Sequence, residues 1–399
     1  MGKERNNTIE LFRFLFSVGF VFGHMAIIFN RLQGHTATES FTQYGLDTLA
    51  VFIIVAGFFM MKGFRRESLA NEKEKLHPAE RAWNYLWGRI KTLGVWFLVG
   101  NIGGFIALCF YNHIPLSGWF DAFLNHIGEF FGLMLTGFNY GTASLPYGTA
   151  SSEYMLINGP LWFVSGLFIA SFVLYYLMAK DEKKTLLFLI PVLSVFFYGS
   201  TYLNGVQPFW HNFASIGDFN INLAMVDMFC NLGIGCLFYI IVEKLNQHEF
   251  TTGFKIFLTI IQTFLLIFIP FRTLYPVNGS LNIFTIGWGQ AYLLAVIFSF
   301  LLVLNKDYAT KFLNKKVFGV LGSVSMHVYC LHYSVIILLY CLAPAVPLYE
   351  KRMYVLAVLV VVICISIIAK ILSKPIYDYL NTSPWFKKKA SKKVKNKVI

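Results

Sequence analysis

Apolar residues dominate the chain in long runs, from Leu11 to Leu372, that are separated by shorter polar connections. Because a bilayer core about 30 Å thick needs about 20 residues of helix, each run of that length predicts one membrane span. The runs lie near residues 10–30, 44–62, 92–111, 160–179, 185–203, 222–243, 254–272, 283–304, 321–343 and 353–373. The pattern therefore predicts an all-α, polytopic membrane protein with about ten transmembrane helices.

Basic residues are distributed unevenly between these spans. If alternate connections face the cytoplasm, 28 of the 33 Lys and Arg residues lie on the cytoplasmic side and four on the other. Positively charged loops tend to stay in the cytoplasm, so this bias predicts that both termini are cytoplasmic. We expect a single integral-membrane domain over residues 1–380, followed by a basic cytoplasmic tail over 381–399.

The long connection over residues 112–159 contains no Lys or Arg and is predicted to be external. Its apolar part, from Trp119 to Thr136, has interspersed polar residues and suits an interfacial or re-entrant helix better than a crossing. The remainder is rich in Gly, Tyr, Asn and Ser. Such irregular external loops commonly bind ligands, so this one is a candidate binding segment.

The composition narrows the class of protein further. Hydrophobic residues make up 57% of the chain and charged residues only 13%, about half the charged share of a soluble domain. This excludes a secreted enzyme, a cytosolic enzyme and a disordered scaffold, and it predicts a multi-pass protein of the cell membrane. The net charge is +13, but the basic clusters flank apolar spans, which indicates the lipid bilayer rather than nucleic acid as a partner.

The first span contains three ionisable residues, Glu10, Arg13 and His24. Such groups are costly within a membrane and are therefore candidates for function. Glu10 and Arg13 have the spacing of a helical ion pair. Arg13 and His24 are about three turns and about 16 Å apart along a helix, so they share one face. A lone His most often makes a hydrogen bond between helices, but a second ionisable group on its face favours function here.

The ninth span has a second polar face, because Ser325, Tyr329 and His332 are spaced i, i+4 and i+7. Hydrogen bonding between helices is the alternative role for these groups. Asp227, in the sixth span, either pairs with a neighbour or is functional, and Arg272 either contacts an anionic substrate group or snorkels to lipid phosphate. The sequence has no phosphate-binding loop, nucleophile elbow or metal-ligand spacing, so any catalysis would be general acid–base chemistry on bound small molecules.

Four short motifs follow one another along the chain. They are Ile9-Glu10-Leu11-Phe12-Arg13 with His24 after ten further residues, Phe52-Ile53-Ile54-Val55-Ala56-Gly57-Phe58, Gly159-Pro160-Leu161-Trp162-Phe163, and Gly322 to His332 with the pattern Ser-x-x-x-Tyr-x-x-His. Together with ten spans and a cytoplasmic N-terminus, this order resembles the acyltransferase-3 family of membrane-bound acyltransferases. The resemblance covers the chain from end to end.

The sequence departs from the family pattern at three positions. Where the third span begins, the family usually has two arginines separated by two residues; here Arg89 is present, but Thr92 takes the second position, with Lys91 beside it. The acidic residue that usually precedes the second-span motif is replaced by Ala50, and Ala56 replaces the serine of that motif. Arg89 and Lys91 are the expected donor-binding residues of this segment.

The resemblance implies transfer of an acyl group, acetyl or sometimes succinyl, from cytoplasmic acyl-CoA to a hydroxyl of a cell-surface or lipid-linked polysaccharide. It implies acyl-CoA, with acetyl-CoA the first choice, as the donor substrate, and no tightly bound cofactor or metal. The site residues fall into three groups. They are catalytic His24 and His332, donor-binding Arg13, Arg89 and Lys91, and substrate-binding Trp162, Tyr329 and Ser325.

The external loop is the expected part of the acceptor site. Its aromatic rings would stack on sugar faces, and its three carboxylates favour a neutral or amine-bearing glycan over a polyanion.

Two other functions stay open from the sequence. A transporter or flippase of a lipid-linked glycan or polysaccharide would also use aromatic walls and an Arg–His proton relay. Inverted repeats and matched broken helices, which such transporters often have, are not visible. A non-catalytic sensor or structural subunit is the other alternative, and it should tolerate the loss of His24.

Overall fold

The computed structural model is almost entirely helical. It describes residues 6–32, 46–70, 76–125, 127, 158–203, 213–216, 219–274, 288–342 and 352–382.

The described residues in the first half of the chain form seven α-helices. They are α1 (Asn7–Leu32), α2 (Leu46–Ala70), α3 (Pro78–Arg89), α4 (Val95–Tyr111), α5 (Trp162–Lys180), α6 (Glu182–Lys184) and α7 (Ile190–Leu203). A π-helical turn, Ile90–Gly94, joins α3 to α4, a second one, Thr185–Leu189, precedes α7, and 3₁₀ turns occupy Leu116–Gly118 and Gly159–Leu161.

Among the described residues of the second half, a short hairpin is followed by seven more helices. These elements are β1 (Phe213–Ile216), β2 (Phe219–Asn222), α8 (Leu223–Leu245), α9 (Thr252–Leu274), α10 (Trp288–Leu304), α11 (Tyr308–Phe312), α12 (Lys316–Gly322), α13 (Ser325–Leu342) and α14 (Arg352–Thr382).

Eight helical stretches among the described residues are long and apolar enough to cross a membrane. They coincide with eight of the ten predicted spans, so the prediction of an all-helical, polytopic membrane protein is confirmed. Helix occupies the other two positions as well. There, α2 carries several charged residues in its last third, and the apolar part of α10, residues 291–304, is shorter. The count of ten and the cytoplasmic termini stay predictions.

The antiparallel hairpin was not expected from the apolar runs. Phe213 lies opposite Asn222, and Ile216 lies opposite Phe219. The sequence contained a signal for it, because Gly-Asp between two short apolar segments is typical of a two-residue hairpin connection. The strands have only four residues each, which is too short for an alternating pattern to stand out beside an adjoining membrane span.

Small residues allow two helix pairs to pack with their backbones in close contact. A Cβ atom added at Gly57 in α2 would lie 2.1 Å from the carbonyl oxygen of Leu232 in α8, and one at Gly235 would lie 2.0 Å from that of Ile54. A Cβ at Gly100 in α4 would lie 2.6 Å from the carbonyl oxygen of Cys330 in α13. Close approach through glycine is a common packing mode of membrane helices.

The first turn of α1 is fixed to the segment around α11 and α12. The Asn7 backbone N–H donates to Asn314 Oδ1 at 2.8 Å, and the Thr8 hydroxyl donates to the Thr310 carbonyl at 2.7 Å. Farther along, α1 packs against α13. These contacts set the rotation of α1, and therefore the direction in which its ionisable face points.

Part of the predicted external segment lies within the described residues. Residues 119–125 are helical and mostly exposed. The interfacial or re-entrant position of this helix stays a prediction. The Trp119 indole donates to the Ile114 carbonyl at 3.0 Å and packs edge-on against Phe105 and Phe110. The rest of the predicted acceptor loop, including Tyr140 and Tyr147, lies outside the described residues.

Candidate active site

Two histidines from opposite ends of the chain meet at the interface of α1 and α13. His24 Nδ1 and His332 Nε2 are 2.8 Å apart, and the two rings are stacked with centroids 4.9 Å apart. His332 is fully buried, whereas His24 is half-buried. Both were predicted as catalytic from separate motifs; the structure brings them together in one hydrogen-bonded pair.

The contacts of His332 determine which nitrogen carries a proton. Its Nδ1 lies 2.6 Å from the carbonyl oxygen of Tyr329 and 3.2 Å from that of Val328. Carbonyl oxygens only accept hydrogen bonds, so this nitrogen is protonated and donates. In the neutral pair, His332 Nε2 therefore accepts a hydrogen bond from His24 Nδ1–H. The same assignment leaves Nε2 of His24 as the basic nitrogen of the pair.

Aromatic side chains form a wall beside the pair. The Phe20 ring stacks with the His24 ring at 6.3 Å and meets the Tyr329 ring edge-on at 5.7 Å. The Phe163 ring also meets the Tyr329 ring edge-on, with centroids 5.7 Å apart. The Tyr329 hydroxyl donates to the Pro160 carbonyl, so this residue connects α13 to the Gly-Pro-Leu-Trp-Phe motif. Such a wall reduces the contact of the histidines with water, which strengthens their electrostatic interactions.

The substrate-binding residues predicted from the motifs have different positions. Tyr329 contacts the pair directly, because its ring centroid lies 5.9 Å from that of His332. Trp162 is half-buried at the start of α5, with its ring 6.4 Å from that of Phe163. Ser325 is buried and donates to the Gly322 carbonyl at 2.8 Å. It lies seven residues, or about 10 Å along the helix, before His332, so its contact with substrate stays a prediction.

Sequence reasoning missed Asn158, which supports the same region. Its amide Nδ2 donates to the Gly100 carbonyl at 2.9 Å and to the Cys330 carbonyl at 3.1 Å, and the residue is fully buried. It therefore joins α4 to α13 two residues before His332. The sequence contained one signal for it, because an Asn directly before Gly159 and Pro160 has the position of a residue that starts a helix.

Arg13 lies on the same helix as His24 and forms the expected pair with Glu10. Its guanidinium is 3.3 Å from the Glu10 carboxylate, and its side chain is 37% exposed. The Ser17 hydroxyl donates to the Arg13 carbonyl at 2.8 Å, so this serine bonds within its own helix. The partly exposed guanidinium of Arg13 therefore lies about three helical turns along α1 from His24.

The other predicted donor-binding residues lie where α3 becomes the π-helical turn. Arg89 Nε donates to the Tyr85 hydroxyl at 2.9 Å, and its guanidinium carbon lies 5.3 Å from the centre of the Tyr85 ring. Lys91 Nζ is 6.0 Å from the centre of the Trp87 ring. Both cations are oriented by aromatic neighbours. Their role in donor binding stays a prediction.

Asp227 is fully buried and belongs to a hydrogen-bonded cluster of three helices. It accepts from the Tyr198 hydroxyl and from Asn231 Nδ2, each at 2.9 Å, and Tyr292 donates to Asn231 Oδ1 at 2.8 Å. Thus Asp227 pairs with neighbours that join α7, α8 and α10. The side chain of Arg272 lies outside the described residues. Within the described part of the chain, no three His, Cys, Asp or Glu residues are grouped to hold a metal ion.

The chain was compared with models of known protein families. The model of the acyltransferase-3 family, described as an acyltransferase domain, matches residues 6–371. The match covers nearly the whole chain and includes all four motifs and the histidine pair. No curated protein and no solved structure matches the chain.

Proposed function

The chain belongs to the acyltransferase-3 family, so it is a multi-pass membrane acyltransferase, and we propose that it acylates a glycan outside the cytoplasm. The donor would be cytoplasmic acyl-CoA, with acetyl the favoured group and succinyl the alternative. The acceptor would be a hydroxyl of a cell-surface or lipid-linked polysaccharide. The observation that carries this proposal is the hydrogen-bonded pair of His24 and His332.

The pair is suited to activate an alcohol. A hydroxyl is a poor nucleophile at neutral pH, and a neutral imidazole is a suitable general base for it. His24 Nε2 takes the hydroxyl proton while the acceptor oxygen attacks the thioester carbonyl. A carbon–oxygen bond forms, the carbon–sulfur bond breaks, and the CoA thiolate leaves and takes up from His24 the proton that came from the hydroxyl.

His332 acts as the orienting partner in this mechanism. As His24 becomes cationic, its Nδ1–H hydrogen bond to His332 becomes charge-assisted and stronger. His332 is itself held by the carbonyl oxygen of Tyr329 at 2.6 Å. This arrangement corresponds to a base whose tautomer and ring orientation are fixed by a second group.

The remaining predicted residues divide between donor and acceptor. Arg13, Arg89 and Lys91 would bind the phosphates of acyl-CoA, because cations and phosphates form strong charge-assisted hydrogen bonds. Trp162 and the ring of Tyr329 would contact the acceptor or the acyl chain beside the histidines. The external loop, residues 112–159, would complete the acceptor site, with its aromatic rings against sugar faces.

A sided transfer assay tests this function. Purified protein in sealed vesicles receives radiolabelled acetyl-CoA on the side of its termini, and neutral, amine-bearing or acidic polysaccharides on the other side. We expect label on the neutral or amine-bearing glycan and its release by mild base, which cleaves an ester. Transport of unmodified glycan without acylation would support a flippase and contradict the proposal.

A further inference from the structure

A basic cavity opens at the end of the bundle where α1 begins and α14 ends. Its volume is about 460 Å³. It is lined by His327 of α13 and by α14 side chains that include Lys370, Ser373, Lys374, Tyr377 and Asp378. A neighbouring pocket of about 410 Å³, to which Asn7 and Lys316 contribute, shares Lys370 with it. None of the lining side chains was assigned a role by the four motifs.

His327 is the unusual member of this cavity. It is 7% exposed, and neither of its ring nitrogens makes a hydrogen bond of normal geometry in the described part of the chain, where the backbone of Val324 is in weak contact with the ring. Its ring meets the Trp96 ring edge-on at 4.4 Å, which fixes its orientation. A buried imidazole without partners is costly, and native proteins usually satisfy such groups. A ligand that occupies the cavity would provide the missing partner.

The charges around the cavity indicate the chemistry of that ligand. Lys370 and Lys374 are one helical turn apart and line the same face of α14, and Lys316 lies across the shared pocket. The Lys370 ammonium donates to the Ser323 hydroxyl. Asp378 is exposed at the rim and is the acidic group among the lining residues. Ammonium groups and an imidazole around one space suit the oxygens of a phosphate.

The position of the cavity connects the two parts of the predicted donor site. The Tyr377 hydroxyl donates at 2.8 Å to the carbonyl of Thr92, which follows Lys91. On the other side, Ser323 of the neighbouring pocket is preceded by Gly322, which packs directly against Glu10. A Cβ atom added at Gly322 would lie 2.4 Å from a carboxylate oxygen of Glu10, and Glu10 is the ion-pair partner of Arg13. The cavity therefore lies between the segment that holds Arg89 and Lys91 and the helix that holds Arg13.

We propose that His327, Lys370 and Lys374 form a binding site for phosphate oxygens, and that its ligand is the nucleotide end of acyl-CoA. The assignment of the ligand rests on the proposed function. The headgroup of an anionic lipid carries the same phosphate chemistry, and the experiment separates the two sources.

Binding measurements on the full chain in nanodiscs test the site. Calorimetry with CoA in purely zwitterionic nanodiscs compares wild type with Lys370→Gln and Lys374→Gln. Lys311→Gln is the matched control, because Lys311 is an exposed lysine between α10 and α12 that lines neither pocket. We expect each cavity variant to weaken CoA binding about tenfold, the effect of losing one hydrogen bond to a charged group, and the control to change it less than twofold.

His327→Phe separates a ligand-binding role from a structural one. Removing buried polar atoms that lack partners should leave the melting temperature unchanged or raise it. We expect CoA binding to weaken about tenfold nevertheless. Unchanged CoA binding would contradict the proposed role of His327, whatever the melting temperature.

A second arm examines the lipid source with nanodiscs that contain phosphatidylglycerol. If Lys370→Gln and Lys374→Gln leave CoA binding unchanged but abolish enrichment of phosphatidylglycerol around the protein, the cavity binds headgroups and the assignment to acyl-CoA is wrong. If neither ligand is affected, the phosphate site itself is wrong. If CoA binding depends on both lysines but the wild-type protein transfers no acyl group, the site is retained and the proposed function is wrong.

Discussion

The hydrogen bond between His332 and His24 allows a quantitative prediction for His332→Leu. In the wild type, His332 Nε2 accepts from His24 Nδ1 at 2.8 Å, and His332 Nδ1 donates to the Tyr329 carbonyl at 2.6 Å. Leucine fills similar space in this buried position but provides neither group. A hydrogen bond to a charged group contributes about 1.5–3 kcal/mol. Because His24 is charged only after it takes the proton, we expect kcat to fall about 10- to 150-fold.

Initial rates of radiolabelled acetyl transfer measure this effect with purified protein in nanodiscs. The loss should appear in kcat, while the KM for acetyl-CoA changes little, because the hydrogen bond strengthens in the transition state. His332→Gln should recover part of the rate, since its amide oxygen accepts a hydrogen bond. In a His24→Ala background, His332→Leu should lower the residual rate little further, because the two residues act as a unit. A kcat within twofold of wild type for His332→Leu would refute the assigned role.

Three further predictions concern the donor, the packing and the topology. Arg13→Ala should raise the KM for acetyl-CoA without lowering expression; an unchanged KM would give its ion pair a structural role instead. Gly57→Ala should lower the free energy of unfolding by about 1–3 kcal/mol through overpacking. Gly63→Ala is the control, because an added Cβ there has nothing within 4 Å; equal melting temperatures of the two variants would contradict the prediction. Cysteines introduced at Ser144 and Ser391 in a Cys-free background should be labelled from opposite sides of intact cells, and labelling from one side would contradict the ten-span topology.

Much of the fold was predictable because membrane helices must satisfy their own backbone hydrogen bonds. A run of about 20 apolar residues therefore has few alternatives to a helix, and the predicted spans coincide with helices along the chain. The hairpin of residues 213–222 could not be predicted in the same way. Its strands are short and adjoin the apolar run that becomes α8, so the longer pattern obscured the turn signal.

The candidate site was predictable in its residues but not in its contacts. Helical spacing placed Arg13 with His24, and Tyr329 with His332, on single faces. It does not determine which faces meet, because the pairing of α1 with α13 depends on packing between segments 308 residues apart. The hydrogen bond between the histidines is therefore a result of the structure alone.

The basic cavity was missed for a related reason. Lys370 and Lys374 resemble the lysines that commonly flank a membrane span and snorkel to the interface. His327 occupies a variable position of the Ser-x-x-x-Tyr-x-x-His motif, so the motif gives it no role. Only the packing of α13 against Trp96 and α14 places these side chains around one space.

The most direct test of the histidine mechanism is a paired measurement on His24→Ala in one reconstituted preparation. CoA binding and acyl transfer are measured together, with wild type as the reference and a melting temperature as a check on folding. Loss of a general base lowers a rate by about 10²- to 10⁴-fold. We expect transfer to fall by that amount while CoA binding stays within twofold, since His24 is about 16 Å along the helix from Arg13. Transfer at the wild-type rate by a folded His24→Ala protein would contradict the proposed role of the pair.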